Sequence, residues 1–157
     1  MINIGGEKMS KSLNNYTTIQ SMLDEDPDNA RALRLALLQT HYRKTMEINP
    51  DVMSQAREGV KRLDAMARKA SGAGVALDGA DRDAAAVAAF IEAMDDDLGT
   101  PEGVATMFET IRRANAALDA GDDAAAMLVA TAIDLAGAMG LSVGPDGLGS
   151  CLLYTSP

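Results

Sequence analysis

The sequence predicts a mainly α-helical chain, and three observations carry that expectation. First, apolar residues make up 47% of the 157 and aromatics only 3%, with alanine, leucine and methionine carrying the apolar load and no tryptophan. Such a composition favours helices over sheets. Second, three sites pair a capping residue with proline: Asp26-Pro27, Asn49-Pro50 and Thr100-Pro101. The side-chain oxygen of the first accepts a free backbone N–H, and proline, with no N–H to satisfy, already has a helical φ. Third, the apolar residues after these sites recur every three or four positions.

In chain order, Met1-Ile2-Asn3-Ile4 is short and apolar and is expected to be a strand end. Gly5-Gly6 then permits an unusual backbone path into a loop. Thr17 to Gln20 fits a T-x-x-Q capping box and opens a short helix. Further helices are expected over roughly 27–43, 50–70, 82–96, 101–119 and 123–139. Val52, Ala56, Val60, Leu63, Ala67 and Ala70 line one face of the 50–70 helix. Val87, Phe90, Ile91 and Met94 point inward from the next. Val104, Met107, Phe108, Ile111 and Leu118 do so from the 101–119 helix, and Leu128, Ala132, Leu135 and Met139 from the last. Gly140 is well placed to terminate it. The methionines fall mostly at core spacing and act as gap-fillers.

Residues 71–80, SGAGVALDGA, hold three glycines and no periodicity, which marks a linker. Charge changes sign there. The whole chain carries −9, but residues 1–70 hold 11 Lys+Arg against 9 Asp+Glu, and residues 71–157 hold 3 against 14. A polyanion would therefore meet the first half, while the second half repels phosphate. No apolar run approaches the ~18 residues of a membrane span, and no apolar signal core follows Met1. The single cysteine excludes an internal disulfide framework and a multi-cysteine zinc site. A cytoplasmic protein is the simplest reading. From Gly144 the sequence is turn-like, and CLLYTSP at 151–157 has neither helical nor strand context. That heptapeptide resembles one reading frame of a common transposon-type sequencing adapter and is expected to be an artefact.

The chemistry concentrates in GEKMSKSLNN, Gly6 to Asn15. A loop carrying Lys8 and Lys11 can bring two ammonium groups onto a triphosphate as negative charge builds there. Lysine suits this as a flexible point charge, and Ser10, Ser12 and loop N–H groups can hold the remaining oxygens. Lys8-Met9-Ser10-Lys11-Ser12 resembles the second signature motif of class I aminoacyl-tRNA synthetases. The Gly-Gly-Glu lead-in and the Ser-Leu-x-Asn that follows match as well; Asn14 stands where that pattern has glycine. Arg34 to Arg43, RLALLQTHYR, resembles the cysteinyl-tRNA synthetase stretch that ends in HYR. Phe90 to Pro101, FIEAMDDDLGTP, resembles the same family's FxxAMDDDFNTPEA, with Leu98 and Gly99 replacing Phe and Asn. The resemblance covers about residues 1–140.

That resemblance implies a chain running from the end of a catalytic domain with its KMSKS loop (1–16) through a helical stem-contact region (17–70) and a linker (71–80). An antiparallel DALR-like helical bundle (81–140) and a disordered tail (141–157) follow. It implies a cytoplasmic, monomeric ligase that activates cysteine with ATP and Mg²⁺ and transfers it to tRNA(Cys). Lys11 would be the main phosphate-stabilising group, assisted by Lys8, with Met9, Ser10 and Ser12 completing the ATP contact. The Rossmann-type catalytic domain, with its HIGH motif and its zinc site, is not in this sequence, so the piece alone is expected to be inactive. Two alternatives stand beside this reading: a cysteine ligase of mycothiol biosynthesis, and a non-catalytic helical module that binds RNA or protein.

Three other features admit two accounts each. Asp95-Asp96-Asp97 could hold a hard cation, but consecutive side chains do not converge on one point, and charge ahead of the Thr100 cap suits a helix N-terminus. His41, expected inside a helix, is a packed or helix-end histidine more readily than a general base. Arg43 and Lys44 either suit the C-terminal dipole of that helix or touch tRNA backbone. In the second case Arg31, Arg34, Arg57, Lys61 and Arg62 would extend a basic strip.

Overall fold

The computed structural model describes residues 2–4, 7–8, 18–21 and 29–144. Among these, five long helices dominate: α1 (Asn29–Leu38), α2 (Pro50–Gly72), α3 (Ala84–Asp95), α4 (Thr100–Ala120) and α5 (Ala125–Ala138). The mainly helical fold is the one expected. Three short strands, β1 (Ile2–Ile4), β2 (Glu7–Lys8) and β3 (Met46–Glu47), form a small sheet in the order β2-β1-β3. β1 runs antiparallel to β2, with Asn3 opposite Lys8, and parallel to β3, with Ile2 opposite Met46. Only β1 was expected as strand. β2 and β3 are two residues each, too short for a two-residue period to register.

The caps follow local chemistry. Asn49 is the N-cap of α2: its Oδ1 accepts the Val52 N–H at 2.8 Å, and Pro50 opens the helix. The Thr100 cap is not observed. Thr100 is the first residue of α4, Gly99 occupies the cap position, and no side chain caps it. At α3 the cap is Asp83, whose Oδ1 accepts the Ala85 and Ala86 N–H groups. Its other oxygen takes the Arg113 guanidinium at 2.6 Å. Thr18 Oγ1 accepts the Ser21 N–H at 3.0 Å, and residues 19–21 are helical. Thr17 and Asp26-Pro27 lie outside the described residues.

Gly140 ends α5 as expected. Its φ of 69° lets the Leu141 N–H reach back to Ala136 O at 2.8 Å and its own N–H to Gly137 O at 2.9 Å, satisfying the last carbonyls. Gly74, with the same φ, closes α2 in the same way through Val75 and Ala70. Thus α2 takes in the start of the 71–80 stretch, and Val75 and Leu77 beyond it pack against the core.

Residues from all five helices form one buried cluster. α4 packs between α3 and α5, α1 lies on α2, and α2 joins the two groups by touching α4 and α5. Leu63, Met66, Met107 and Val129 are wholly buried, as helical spacing places them. Ile91 departs from expectation: it is 52% exposed, because α3 meets the rest of the bundle through Ala86 and Phe90. No helix among the described residues is long and apolar enough to cross a membrane.

Candidate functional site

Contrary to the expected helix over 27–43, α1 stops at Leu38, so His41 is not inside a helix and Arg43 and Lys44 are not at the end of one. The chain turns instead. The Thr40 N–H donates to Leu37 O at 3.2 Å, and the Lys44 N–H donates to His41 O at 2.8 Å. The turn feeds straight into β3, and the pairing of β3 with β1 draws the chain away from the α1 axis. With the helix end several residues away, the dipole account of Arg43 and Lys44 falls, since that effect fades within the last turn.

The turn is an ordered cluster. The His41 and Tyr42 rings stack with centroids 4.8 Å apart, and the Arg43 guanidinium lies over the Tyr42 ring at 5.3 Å. Arg43 Nε also donates to the Tyr42 hydroxyl oxygen at 2.9 Å. Asp97, from the corner between α3 and α4, closes the group. The Tyr42 hydroxyl donates to its Oδ1 at 2.7 Å, Arg43 Nη1 lies 3.1 Å from Oδ2, and His41 Nε2 lies 3.7 Å from Oδ2. The hydrogen bond to Asp97, helped by partial desolvation and the nearby negative charge, pushes the Tyr42 hydroxyl above its ordinary range, against the lowering effect of Arg43.

Asp97 thus does what the sequence did not reveal. Of the three aspartates read as charge ahead of the next helix, one turns back onto residues far away in the chain. A separation of 55 positions leaves no local signal. Among the described residues, no group of three or more His, Cys, Asp or Glu side chains could hold a metal ion. The residues described here therefore fit neither a zinc site nor an acidic cation site.

Beside the turn lies a cleft of about 290 Å³, lined by Leu37, Leu38, Thr40, His41, Lys44 and Met46 among others. Lys44 is exposed on this cleft, whereas Arg43 is engaged with Asp97 and Tyr42. Lys8 is placed through its backbone in β2, two strands from β3. Met9, Ser10, Lys11 and Ser12 lie outside the described residues.

The broader basic strip is interrupted. Arg31 is held by Asp64, Arg57 Nε donates to Asn29 Oδ1 at 2.9 Å, and Lys61 pairs with Glu58 at 2.7 Å. Arg62 lines a separate groove with Phe108, Glu109 and Arg112. Engaged cations contribute less to a phosphate-binding surface than free ones, because binding must first break an existing pair.

Comparison with known proteins matches both ends of this arrangement. Residues 1–58 match the family of class I (C) tRNA synthetase catalytic domains, and residues 89–143 match the DALR domain family. A cysteine–tRNA ligase of Kocuria rhizophila is 39% identical over 142 residues, which is 90% of this chain and 29% of that protein. The cysteine–tRNA ligase of Pseudomonas fluorescens strain SBW25 is 37% identical over 145 residues, again 90% and 29%. That of Deinococcus radiodurans is 39% identical over 130 residues, covering 77% of this chain and 25% of the relative. The chain spans under a third of the length of these relatives. The two segment matches and these relatives point to one family: the chain belongs to the cysteine–tRNA ligase family of class I synthetases.

Proposed function

We propose that this chain is part of a cytoplasmic, monomeric ligase that activates cysteine with ATP and transfers it to tRNA(Cys). The single observation that carries this is Lys8-Met9-Ser10-Lys11-Ser12, within the segment that matches the class I catalytic domain. Attack of the cysteine carboxylate on the α-phosphate forms the adenylate and expels pyrophosphate, so charge grows on the phosphate oxygens. Lys11, assisted by Lys8, neutralises that charge, and Met9, Ser10 and Ser12 complete the contact with ATP. The same reading implies magnesium, which would help neutralise the phosphate charge, and zinc, which would bind the substrate thiol through ligands outside this chain. Support for tRNA over an amino-sugar as acceptor comes from the relatives, which carry the name cysteine–tRNA ligase. Lys44, exposed and without an ion pair among the described residues, is the better tRNA-backbone contact of the two neighbouring cations, and Arg43 the weaker one. Alone, the 157-residue piece is expected to be inactive.

The test grafts residues 1–144 into a cysteine–tRNA ligase in place of the matching segment and measures cysteine-dependent ATP–pyrophosphate exchange. The graft should support exchange. Lys11→Ala should slow it by about 100-fold or more with little change in the KM for cysteine, because the lost contact acts in the transition state. A rate within about threefold of the parent graft removes Lys11 from the role.

A further inference from the structure

The Asp97 carboxylate makes contact with three consecutive residues, His41, Tyr42 and Arg43, at 3.7, 2.7 and 3.1 Å. It lies in the part of the chain that matches the DALR domain, and its partners lie in the part that matches the catalytic domain. The backbone around it is held in an unfavourable form. Asp97 and Leu98 have φ of 53° and 55°, left-handed values that are unfavourable for a non-glycine residue. Such a conformation persists only where the surroundings over-determine it. Here the Gly99 N–H is tied to Ala93 O at 2.9 Å on one side, and Asp97 to the turn on the other.

The turn is continuous with the small sheet. Residues 41–45 lead directly into β3, β3 pairs with β1 through Ile2–Met46 and Asn3–Glu47, and β1 pairs with β2 through Asn3–Lys8. In the parallel pairing, Lys44 and Thr45 lie at the end of β3 beside the start of β1. Lys8, opposite Asn3 in the antiparallel pairing, is level with Glu47 across the sheet. The Asp97 latch and Lys8 are therefore linked by one turn and two strand pairings, across a sheet too small to be rigid by itself.

We infer that Asp97 is a positioning residue: by gripping Tyr42 and Arg43 it sets where the helical bundle holds the sheet that carries Lys8. The catalytic consequence rests on the ligase reading above, whereas the mechanical one does not. Asp97 touches no reacting group. It acts through the turn, and its loss should loosen β3, β1 and β2 while leaving α5 untouched.

Two measurements decide this. In the 157-residue chain, amide hydrogen exchange timed from milliseconds should rise about threefold to tenfold at residues 2–8 and 41–47 in Asp97→Asn, with α5 unchanged. Tyr42→Phe should do the same to a lesser degree, and the double variant should exchange like Asp97→Asn alone. A uniform rise through α5 would make Asp97 a general stabiliser, and no rise at the strands would leave it without a role; either overturns the inference. In the ligase graft, Asp97→Asn should lower kcat for pyrophosphate exchange about tenfold with the cysteine KM unchanged, and Asp97→Glu should recover part of it. An intact kcat overturns the catalytic consequence. If the unmutated graft supports no exchange, the ligase reading fails instead, and hydrogen exchange still decides the latch.

Discussion

Arg31 and Asp64 tie α1 to α2 through a two-pronged ion pair, Nη1 to Oδ2 at 2.9 Å and Nη2 to Oδ1 at 2.6 Å. The Gly144 N–H also donates to Asp64 Oδ1 at 2.9 Å, so one carboxylate secures α1, α2 and the chain leaving α5. Both side chains are largely buried, at 16% and 15% exposure. Burial pushes the Asp64 carboxyl up, but the hydrogen bonds from Arg31 and Gly144 and the charges of Arg31 and Arg68 outweigh it and hold it below its ordinary value. Asp64→Asn should therefore cost about 2 kcal/mol at neutral pH, since it leaves a mostly buried guanidinium without its counter-charge. A carboxyl lowered in the folded state stabilises fully above its unfolded value of about 4, and that contribution is lost as pH falls through the lowered value. Urea unfolding at a series of pH values should show the gap between parent and variant closing in acid. A constant gap would mean that the charge of Asp64 is not what matters.

Gly59 sits where α2 meets α1 and α4. A Cβ there would lie 2.6 Å from Leu35 Cδ2 and 3.1 Å from Phe108 Cζ. Helix propensity alone favours alanine over glycine by about 1 kcal/mol. Leu35 is fully buried, so moving its Cδ2 away disturbs the core around it; overpacking should win and Gly59→Ala should destabilise by about 1–2 kcal/mol. Trimming the opposing side chain makes room, so Gly59→Ala with Leu35→Ala should cost less than the sum of the two single changes. Additive losses in denaturant melts would show that the two sites do not compete for the same space.

Leu98 combines a φ of 55° with 55% exposure, so its side chain gains little from burial while its backbone is strained. Asparagine tolerates left-handed backbone better than a branched apolar residue does. Leu98→Asn should raise stability by up to about 1 kcal/mol, and Leu98→Val should lower it. Thermal melting of the two variants checks the sign. A lower Tm for Leu98→Asn would show that contacts of the leucine outweigh the strain.

Much of the fold was legible locally. The Asn49-Pro50 cap, the glycine stop at 140 and the inward stripes of α2, α4 and α5 each depend on residues within about four positions of one another. The failures have physical causes too. Thr100 yielded its cap position to Gly99 because the backbone through Asp97 and Leu98 goes left-handed. Ile91 faces outward because α3 is engaged on a narrow side only. The expected helix through His41 ended early because the chain is needed in β3, whose partner β1 lies more than forty residues back.

Sequence alone determined the helical class, the positions of most turns of helix, the reversal of charge near residue 71 and the Lys/Ser pattern that speaks of phosphate chemistry. All of these are properties of composition or short spacing. Tertiary structure alone decided which cation is held and which acid holds it: Arg31 by Asp64 across 33 positions, and Tyr42 and Arg43 by Asp97 across half a hundred. Ionic and hydrogen-bonding groups have no register of their own. Their partners are chosen by the packing of apolar faces, and that packing exists only once the helices have met.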